Sequence, residues 1–471
     1  MEKSGISSMK EKIQIPKSEH FFTHNKNFYQ TFFRLMLILA FQNIITYTVN
    51  VADNLMLGSY SQSALSGAAA VNQIQFVLQQ VIGLGFGQGL VILGSQYWGQ
   101  KKSEPIQILT GIALKIGLVV GILLFACAFF MPERMISIFT DVPSVAEQAL
   151  LYLSIIKYTY LFFVVTSLLL ASLRSVQVVK IAFLLSVMTV FINVSINYCL
   201  IFGQFGFPEM GIKGAAIGTL IARIVELMVL LSYIRRSKAI PFTYQLRKLC
   251  KKDPLLLKDY WKVTFPCVIS EALFAGSIAM QTAIFGHLDT DAIAANAVTN
   301  TMFQYCKMVP LAAAAASSVL IGMAVGKKDW KNIRAYVHSL QLVYLGIGIS
   351  CSLILICISR VVLQFYDLTP AAEVYARQMF WIMTVIIVAS SYQMPCLTGI
   401  IPGGGDSAFV MLNDVCYAGC FTIPVCLIAA FVFHLGILPL FFLMNVDQLL
   451  KCITNGIKTN SYTWVKRWVR E

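Results

Sequence analysis

Two carboxylates lie inside long apolar stretches of this sequence. Asp53 follows Tyr47-Thr-Val-Asn50-Val-Ala, and Glu271 stands five residues after Pro266. An acidic side chain at membrane depth costs roughly 2.5–3.5 kcal/mol even on the lenient insertion scale, so it needs a proton, a cation or a partner. We interpret Asp53 as a group that binds a proton or cation, with a side chain reaching the interface as the alternative. Glu271 is interpreted as a titratable group that faces a cavity.

Amide side chains are spaced to assist such a carboxylate. Asn193 and Asn197 are four residues apart and therefore share one face of a helix. Their oxygens can coordinate a cation or accept a hydrogen bond from a protonated carboxyl group. Hydrogen bonds that merely join two helices are the competing interpretation.

Other polar side chains in apolar stretches are candidates for the wall of a cavity. Asn72 and Asn300 occur in segments rich in small and amide residues, which are costly to expose to lipid. Lys307 either neutralises a carboxylate across a cavity or forms a structural pair. Tyr392 belongs to an aromatic group that either binds hydrophobic cations or serves as packing and interfacial belt.

The sequence lacks the residue patterns of an enzyme or a metal site. The five histidines are isolated, and neither His-Glu-x-x-His nor a Gly-x-x-x-x-Gly-Lys-Ser loop occurs. The twelve cysteines are scattered without paired spacing, which argues against zinc and against a disulfide framework. We therefore expect no catalytic residues, no metal and no cofactor other than a coupling ion.

The elements that position these residues are membrane-spanning helices. With 58% hydrophobic residues, 12% charged residues and a mean hydropathy of +0.73, the chain is too apolar for a soluble globule. Each of twelve apolar stretches is long enough to cross a hydrocarbon core of about 30 Å as a helix. The predicted spans are 33–57, 66–94, 106–131, 149–173, 180–202, 212–234, 260–286, 292–326, 333–359, 374–400, 407–433 and 436–456.

The net charge of +14 reflects topology rather than nucleic-acid binding. With the N-terminus inside, 27 of the 36 Lys and Arg residues fall on cytoplasmic segments and four on the opposite side. This asymmetry predicts cytoplasmic termini and contact with anionic lipid. We expect no cleavable signal peptide, because the first thirty residues are polar and basic and lead into a full-length span.

The chain consists of two copies of one unit. At a shift of 228 residues, Gly58 falls on Gly286 and Asn72 on Asn300 without a gap, whereas Asp53 falls on Gln281. We predict an all-α membrane protein with two pseudo-symmetric six-helix lobes around a central cavity, which Gln281 also lines. The segments are an N-terminal tail (1–30), an N-lobe (31–234), a basic cytoplasmic linker (235–259), a C-lobe (260–456) and a cytoplasmic C-terminal tail (457–471).

Several motifs resemble the multidrug and toxic compound extrusion (MATE) transporters of bacterial type. They cover nearly the whole chain after residue 30. The matching segments are Val51-Ala-Asp53-Asn-Leu-Met-Leu-Gly58, Leu173-Arg174, Ile192-Asn193-x-x-x-Asn197-Tyr-x-Leu-Ile-Phe-Gly203, Gly206-Phe-Pro208-Glu-Met-Gly211, Lys213-Gly214-Ala-Ala-Ile-Gly-Thr219, Phe265-Pro266, Gly286-x-Leu288, Ala292-x-Ala294-Ala295 and Gly403-Gly404-Gly405-Asp406.

The resemblance implies an antiporter that exports amphipathic, often cationic, drugs and metabolites in exchange for protons or sodium. Asp53 then corresponds to the ion-coupling aspartate of the N-lobe, accompanied by Asn193, Asn197 and Thr219. Glu271 resembles the glutamate of the NorM branch, although it lies about one helical turn nearer the proline. The implied setting is the inner (plasma) membrane, with a monomer that contacts lipid and a small amphipathic substrate.

The sequence departs from the family pattern at three places. The usual proline of the first helix is absent from Ile38–Phe41, the carboxylate of the tenth helix in the NorM branch falls near Ser391, and Val176-Gln177 replaces the usual Gly-Asp or Gly-Asn. These departures favour proton coupling through the N-lobe. The alternative function is a flippase for a lipid-linked oligosaccharide or peptidoglycan precursor, which would favour a cationic cavity.

Overall fold

The computed structural model describes residues 15–16, 20–286, 290–364 and 368–470. Most of the predicted tail at 1–30, Leu288 of the quoted motif and Glu471 lie outside these ranges. Within them the structure is helical and contains no strand. The predicted all-α class is confirmed.

In the described part of the chain, twelve long helices follow the predicted order of spans. They are α1 Lys26–Tyr60, α2 Gln62–Gly99, α3 Ser103–Phe130, α4 in two pieces (Pro143–Ile156 and Thr159–Ser175), α5 Lys180–Phe202, α6 Ile212–Arg236, α7 Pro254–Gly286, α8 Thr290–Gly326, α9 Trp330–Val362, α10 Pro370–Gly403, α11 Ser407–Phe431 and α12 Ile437–Ser461. Short helices occupy Pro132–Ser137, Gln204–Gly206 and Leu246–Cys250. Among the described residues, ten helices are long and apolar enough to cross a membrane, or eleven when the 55° bend in α4 lies within one span.

Local side-chain chemistry explains several of these ends. Asn25 caps α1, because its side chain accepts hydrogen bonds from the backbone N–H groups of Asn27 and Phe28. Gly203 ends α5 at φ +64°, a left-handed conformation that glycine adopts without steric cost. Thr369 caps α10 directly before Pro370, whose missing N–H costs nothing at the first helical position.

The long helices are interrupted by short π-helical segments. The sequence predicts interruptions at prolines of the C-terminal half. Pro395 opens a π segment at Pro395–Ile400, and Pro424 lies two residues after the end of another at Val415–Thr422. Pro310, in contrast, lies within one continuous helix, and Pro439 sits in the first turn of α12, where a proline is tolerated. The π segment at Gln80–Phe86 of α2 contains no proline and was not predicted.

The first helix of each lobe packs against the other lobe. Early residues of α1 join a core cluster otherwise built mainly from α8, α9 and α10, and those of α7 join the core of the N-lobe. The buried positions are equivalent at the 228-residue shift of the repeat. They are Phe28, Phe32, Leu35 and Leu39 in α1 and Leu256, Tyr260, Val263 and Cys267 in α7.

Small residues hold the lobes together at one end of the bundle. This end, where α1 begins and α12 ends, is called the termini end below. A Cβ atom on Gly322 would lie 2.0 Å from the Ser95 hydroxyl, and one on Gly326 would lie 2.0 Å from the Gln96 carbonyl oxygen. Gln88 of α2 also donates hydrogen bonds to Ser318 (3.1 Å) and to the Thr398 carbonyl (3.1 Å). These contacts close the termini end of the bundle.

The segment 462–470 crosses the termini end from the C-lobe to the N-lobe. Trp464 is fully buried in the C-lobe, whereas Val469 joins the core of the N-lobe. The backbone N–H of Trp468 donates a hydrogen bond to Gln96 Oε1 (2.9 Å). Arg470 forms a bidentate ion pair with the buried Asp259 (2.8 and 2.9 Å). We call residues 462–470 the strap. Sequence composition suggested only a basic tail here, because the partners are distant in sequence.

Candidate functional site

A chain of hydrogen bonds joins Asp53 to the amides predicted to assist it. Asn197 Nδ2 donates to Asp53 Oδ1 (2.8 Å) and to Asn193 Oδ1 (3.2 Å), and Asn193 Nδ2 donates to Thr219 Oγ1 (3.2 Å). Three helices, α1, α5 and α6, supply these four residues. Asn193 and Asn197 share one face of α5 because they are one helical turn apart. The structure therefore brings together all four residues of the predicted ion-coupling group.

A small cavity of about 50 Å³ adjoins this chain. This volume holds a few water molecules, because a single water needs roughly 10–15 Å³ by this measure. The polar lining includes Asp53, Asn72, Gln79, Tyr152 and Arg223, so Asn72 faces the same space as the carboxylate. Arg223 is paired with Glu226 at 2.7 Å. Asp53 consequently has an amide partner and no ion pair among the described residues.

Close helix packing fixes the position of Asn197. A Cβ atom on Gly218 of α6 would lie 2.0 Å from Asn197 Oδ1, so only glycine leaves room for this amide. Gly214, one turn earlier, lies against the backbone of Leu200 in the same way. The glycines of the Lys213 to Thr219 motif thus allow α5 and α6 to approach closely and orient the amides toward α1.

The C-lobe contains a different kind of polar cluster. Lys451 of α12 pairs with Asp414 of α11 (3.0 Å) and with Asp447 one turn earlier (3.2 Å). Ser270 of α7 donates a hydrogen bond to the other oxygen of Asp414. Gln448 extends the cluster to α10. Its amide donates to Asp447, and its oxygen accepts from Gln393 (2.7 Å) and Ser390 (3.2 Å).

Glu271 lies where the two lobes meet. Gln80 of α2 donates a hydrogen bond to Glu271 Oε2 (3.2 Å) across the interface. One turn further along α7, the ring of Phe274 lies 5.2 Å from the Lys307 ammonium group. Gln281, the counterpart of Asp53 in the repeat, donates to the Met444 carbonyl of α12 (3.4 Å). The structure thus places Glu271 and Lys307 near each other on one side of the C-lobe.

Two of the predicted cavity residues lie apart from these groups. Asn300 is exposed on α8. Tyr392 donates to Gln341 (3.1 Å) in a mostly apolar groove of about 860 Å³ between α9, α10 and α12. Phe21 and Phe22, from the segment before α1, also line this groove.

Sequence reasoning treated Asp414, Asp447 and Lys451 as structural or snorkelling residues near span ends. Asp447 and Lys451 are buried in the lobe and paired with each other, which agrees with the structural interpretation and not with snorkelling. Their four-residue spacing on one helix face was the available signal. Within the described ranges, no three His, Cys, Asp or Glu residues are grouped to hold a metal ion.

Comparison with known proteins agrees with this architecture. The MatE family model matches residues 39–199 and 266–428, that is, once in each lobe. A relative named probable multidrug resistance protein NorM, from Thermotoga maritima, is 23% identical over 441 residues, covering 93% of each chain. A second protein of that name, from Xylella fastidiosa, is 23% identical over 384 residues, covering 80% of each chain.

Solved structures show the same fold. The eukaryotic MATE transporter AtDTX14 superposes with a TM-score of 0.81 at 17% identity, covering 94% of this chain and 97% of the other. The Vibrio cholerae MATE transporter VcmN in its bent form also gives 0.81 at 17% identity, covering 93% and 97%. The twelve-helix MATE fold predicted from sequence is therefore confirmed.

Proposed function

We propose, because this chain belongs to the MatE family of membrane transporters, that it is an efflux antiporter for amphipathic, often cationic, drugs and metabolites. Several of its relatives are named probable multidrug resistance proteins. Transport is then driven by the gradient of a cation that binds at Asp53.

The observation that carries this proposal is the uncompensated carboxylate of Asp53. It lies in the membrane-spanning part of α1, beside a cavity with room for a few waters. The nearby guanidinium of Arg223 is engaged by Glu226. A carboxylate in this situation is stabilised by taking up a proton or a cation. Binding of the proton or cation neutralises the Asp53 carboxylate, which lies between α1, α5 and α6.

We propose that the coupling ion is a proton rather than sodium. A hard metal cation needs several free oxygen ligands. Around Asp53, the oxygens of Asn193 and Thr219 each accept a hydrogen bond, and Asn197 Oδ1 is packed against Gly218. Protonation of Asp53 requires only that one carboxylate oxygen become a donor.

We also propose which conformation of the transporter this structure represents, because the two lobes are in close contact at the termini end. Following the charge asymmetry, we place both termini in the cytoplasm of a cell whose plasma membrane holds the protein as a monomer. The structure then corresponds to a state closed toward the cytoplasm. Each charge moved across 100 mV contributes about 2.3 kcal/mol, which supports about fiftyfold accumulation of substrate.

Replacement of Asp53 by Asn tests the proposal in cells that efflux a fluorescent organic cation. Asn is nearly isosteric and keeps a hydrogen bond to Asn197, but it cannot be ionised. We expect efflux to fall to the level of cells without the transporter, at unchanged membrane abundance. Asp141→Asn, at an exposed acid of the same lobe, is the matched control. If Asp53→Asn exports the dye at the wild-type rate, the proposal is wrong.

A further inference from the structure

The cation-coupling site of the N-lobe has a counterpart of opposite charge in the C-lobe. At the 228-residue shift, α1 and α2 begin at Lys26 and Gln62 while α7 and α8 begin at Pro254 and Thr290, so the register of the repeat holds in three dimensions. In this register Asp53 corresponds to Gln281, and Gln79 corresponds to Lys307. Gln79 lines the Asp53 cavity. The acid of one lobe is thus replaced by an amide, and the amide beside it by a cation.

Lys307 lies far from both ends of α8. It lies next to the midpoint of α8, a helix of 37 residues. At a rise of 1.5 Å per residue, both ends of α8 are more than about 25 Å from Lys307. The lysine side chain is much shorter than this distance. Snorkelling therefore does not account for this charge.

The ammonium group of Lys307 is held by aromatic rings rather than by a carboxylate. It lies 5.2 Å from the ring centre of Phe274 and 6.0 Å from that of Phe303. In the part of the chain that the structure describes, Lys307 forms neither an ion pair nor a hydrogen bond. Cation–π contacts leave the N–H donors of an ammonium group available to an anion.

The neighbouring carboxylates already have other partners. The acids that act on Lys307 electrostatically are Asp447 and Glu271. Asp447 is paired with Lys451 at 3.2 Å, and Glu271 accepts from Gln80 at 3.2 Å. Both lie too far from Lys307 for a direct ion pair.

Lys307 lies near the interface where the two lobes meet. Its partner Phe274 is 39% exposed and stands one turn from Glu271, whose hydrogen-bond partner Gln80 belongs to the opposite lobe. Asn300, two turns before Lys307 on α8, is exposed. A molecule bound at this interface would meet the Phe274 ring and the ammonium group together, because they are 5.2 Å apart.

We propose that Lys307 binds an anionic group of the transported molecule, so that the preferred substrates are amphiphiles that carry a carboxylate or a similar anion. The Phe274 ring contacts the apolar body of the same molecule. This inference rests on the efflux function proposed above and adds, among its amphipathic substrates, a preference for those that carry an anionic group.

A matched pair of dyes tests this inference in proteoliposomes with an imposed pH gradient. The pair is a rhodamine as its free carboxylic acid and as its ethyl ester, which differ by one negative charge. The vesicles contain phosphatidylcholine only, so that anionic headgroups do not compete for the site. We expect the wild-type KM for the acid to be about tenfold below that for the ester, the ratio that one net charge-assisted contact supplies.

Substitutions of Lys307 identify the residue responsible. Lys307→Gln should raise the KM for the acid about tenfold, so that the KM values for the acid and the ester become about equal. Lys307→Arg should retain the preference for the acid. Lys157→Gln is the control. The Lys157 ammonium group also lies over aromatic rings, those of Phe129 and Tyr158, but these residues belong to the N-lobe.

The outcomes separate this inference from the proposed function. Gradient-driven transport of the ester with no preference for the acid overturns the role of Lys307 alone. An equal loss for both dyes in Lys307→Gln does the same, because it shows a purely structural role. If the wild type moves neither dye under any gradient, the efflux function fails, and this inference fails with it.

Discussion

The two lobes share one helical frame but use charge in different ways. In the N-lobe, a single carboxylate ends a chain of neutral amide and hydroxyl groups beside a small cavity. In the C-lobe, Lys451 is enclosed between Asp414 and Asp447, and a network of amides surrounds them. A lone carboxylate can change its charge without breaking an ion pair, whereas the C-lobe triad cannot.

Under the proposed function, this contrast distinguishes an ion-coupling site in the N-lobe from a structural cluster in the C-lobe. Neutralising the N-lobe carboxylate should remove transport and leave folding intact. Breaking the C-lobe triad should destabilise the fold, because its members are buried and compensate one another. The same helical repeat positions the N-lobe site and the C-lobe triad. The residues that differ between the two copies give each cluster its own role.

The largest expected effect on stability belongs to Lys451→Met. It leaves the Asp414 and Asp447 carboxylates buried without their cation, which should cost about 3–5 kcal/mol. Thermal unfolding of the detergent-solubilised protein measures the loss. The triple variant Asp414→Asn, Asp447→Asn, Lys451→Met should recover most of it, because no buried charge remains. If the single variant unfolds like the wild type, the triad is not the structural element described here.

Asp53→Asn should show the opposite pattern. We expect a change of less than about 1 kcal/mol in stability, since the hydrogen bond to Asn197 persists, together with loss of gradient-driven transport. The same unfolding assay and a transport assay on one preparation check both parts. A large loss of stability in this variant would assign Asp53 to the fold and erase the contrast between the lobes.

Gly218→Ala tests whether packing of α6 orients the amide chain. The added Cβ atom would lie 2.0 Å from Asn197 Oδ1, so the amide must shift away from its position beside Asp53. We expect a cost of about 1–3 kcal/mol and a reduced transport rate. Gly346→Ala in α9 is the control, since nothing lies within 4 Å of its Cβ position. Equal transport by the two variants would show that Asn197 need not be held in place.

At the strap, the two ion pairs are expected to differ in their contribution to stability. Arg470→Ala removes the cation from the buried Asp259 and should cost about 1–3 kcal/mol. Lys466→Ala should cost less than about 1 kcal/mol, because Lys466 is about half exposed and Asp406 keeps its pair with Lys458. The ratio of the two losses in unfolding experiments checks whether Arg470 anchors the strap to α7.

The amino-acid sequence predicted the helices and the N-lobe site more fully than the C-lobe site. Apolar length and the position of charges define spans such as α5, and the spacing of Asn193 and Asn197 indicates a shared face. The contact of Asp53 with these amides followed only from the family resemblance, because it joins α1 to α5. The pairing of Asp414 with Lys451 has no local signature, since these residues lie on different helices.

The strap and the π segment of α2 were also beyond sequence reasoning. The strap depends on contacts between residues more than 200 positions apart, such as Arg470 and Asp259. The π segment at Gln80–Phe86 contains two glycines and no proline, and glycine-rich stretches are equally compatible with a regular helix. In both cases tertiary packing selects among local conformations that the sequence permits.

The most direct test of the central claim is transport of a fluorescent amphiphile into or out of proteoliposomes under one gradient at a time. We expect a pH gradient to drive transport by the wild type and a sodium gradient alone to drive none. Asp53→Asn should respond to neither gradient. Transport by Asp53→Asn at the wild-type rate under the pH gradient would contradict the central claim.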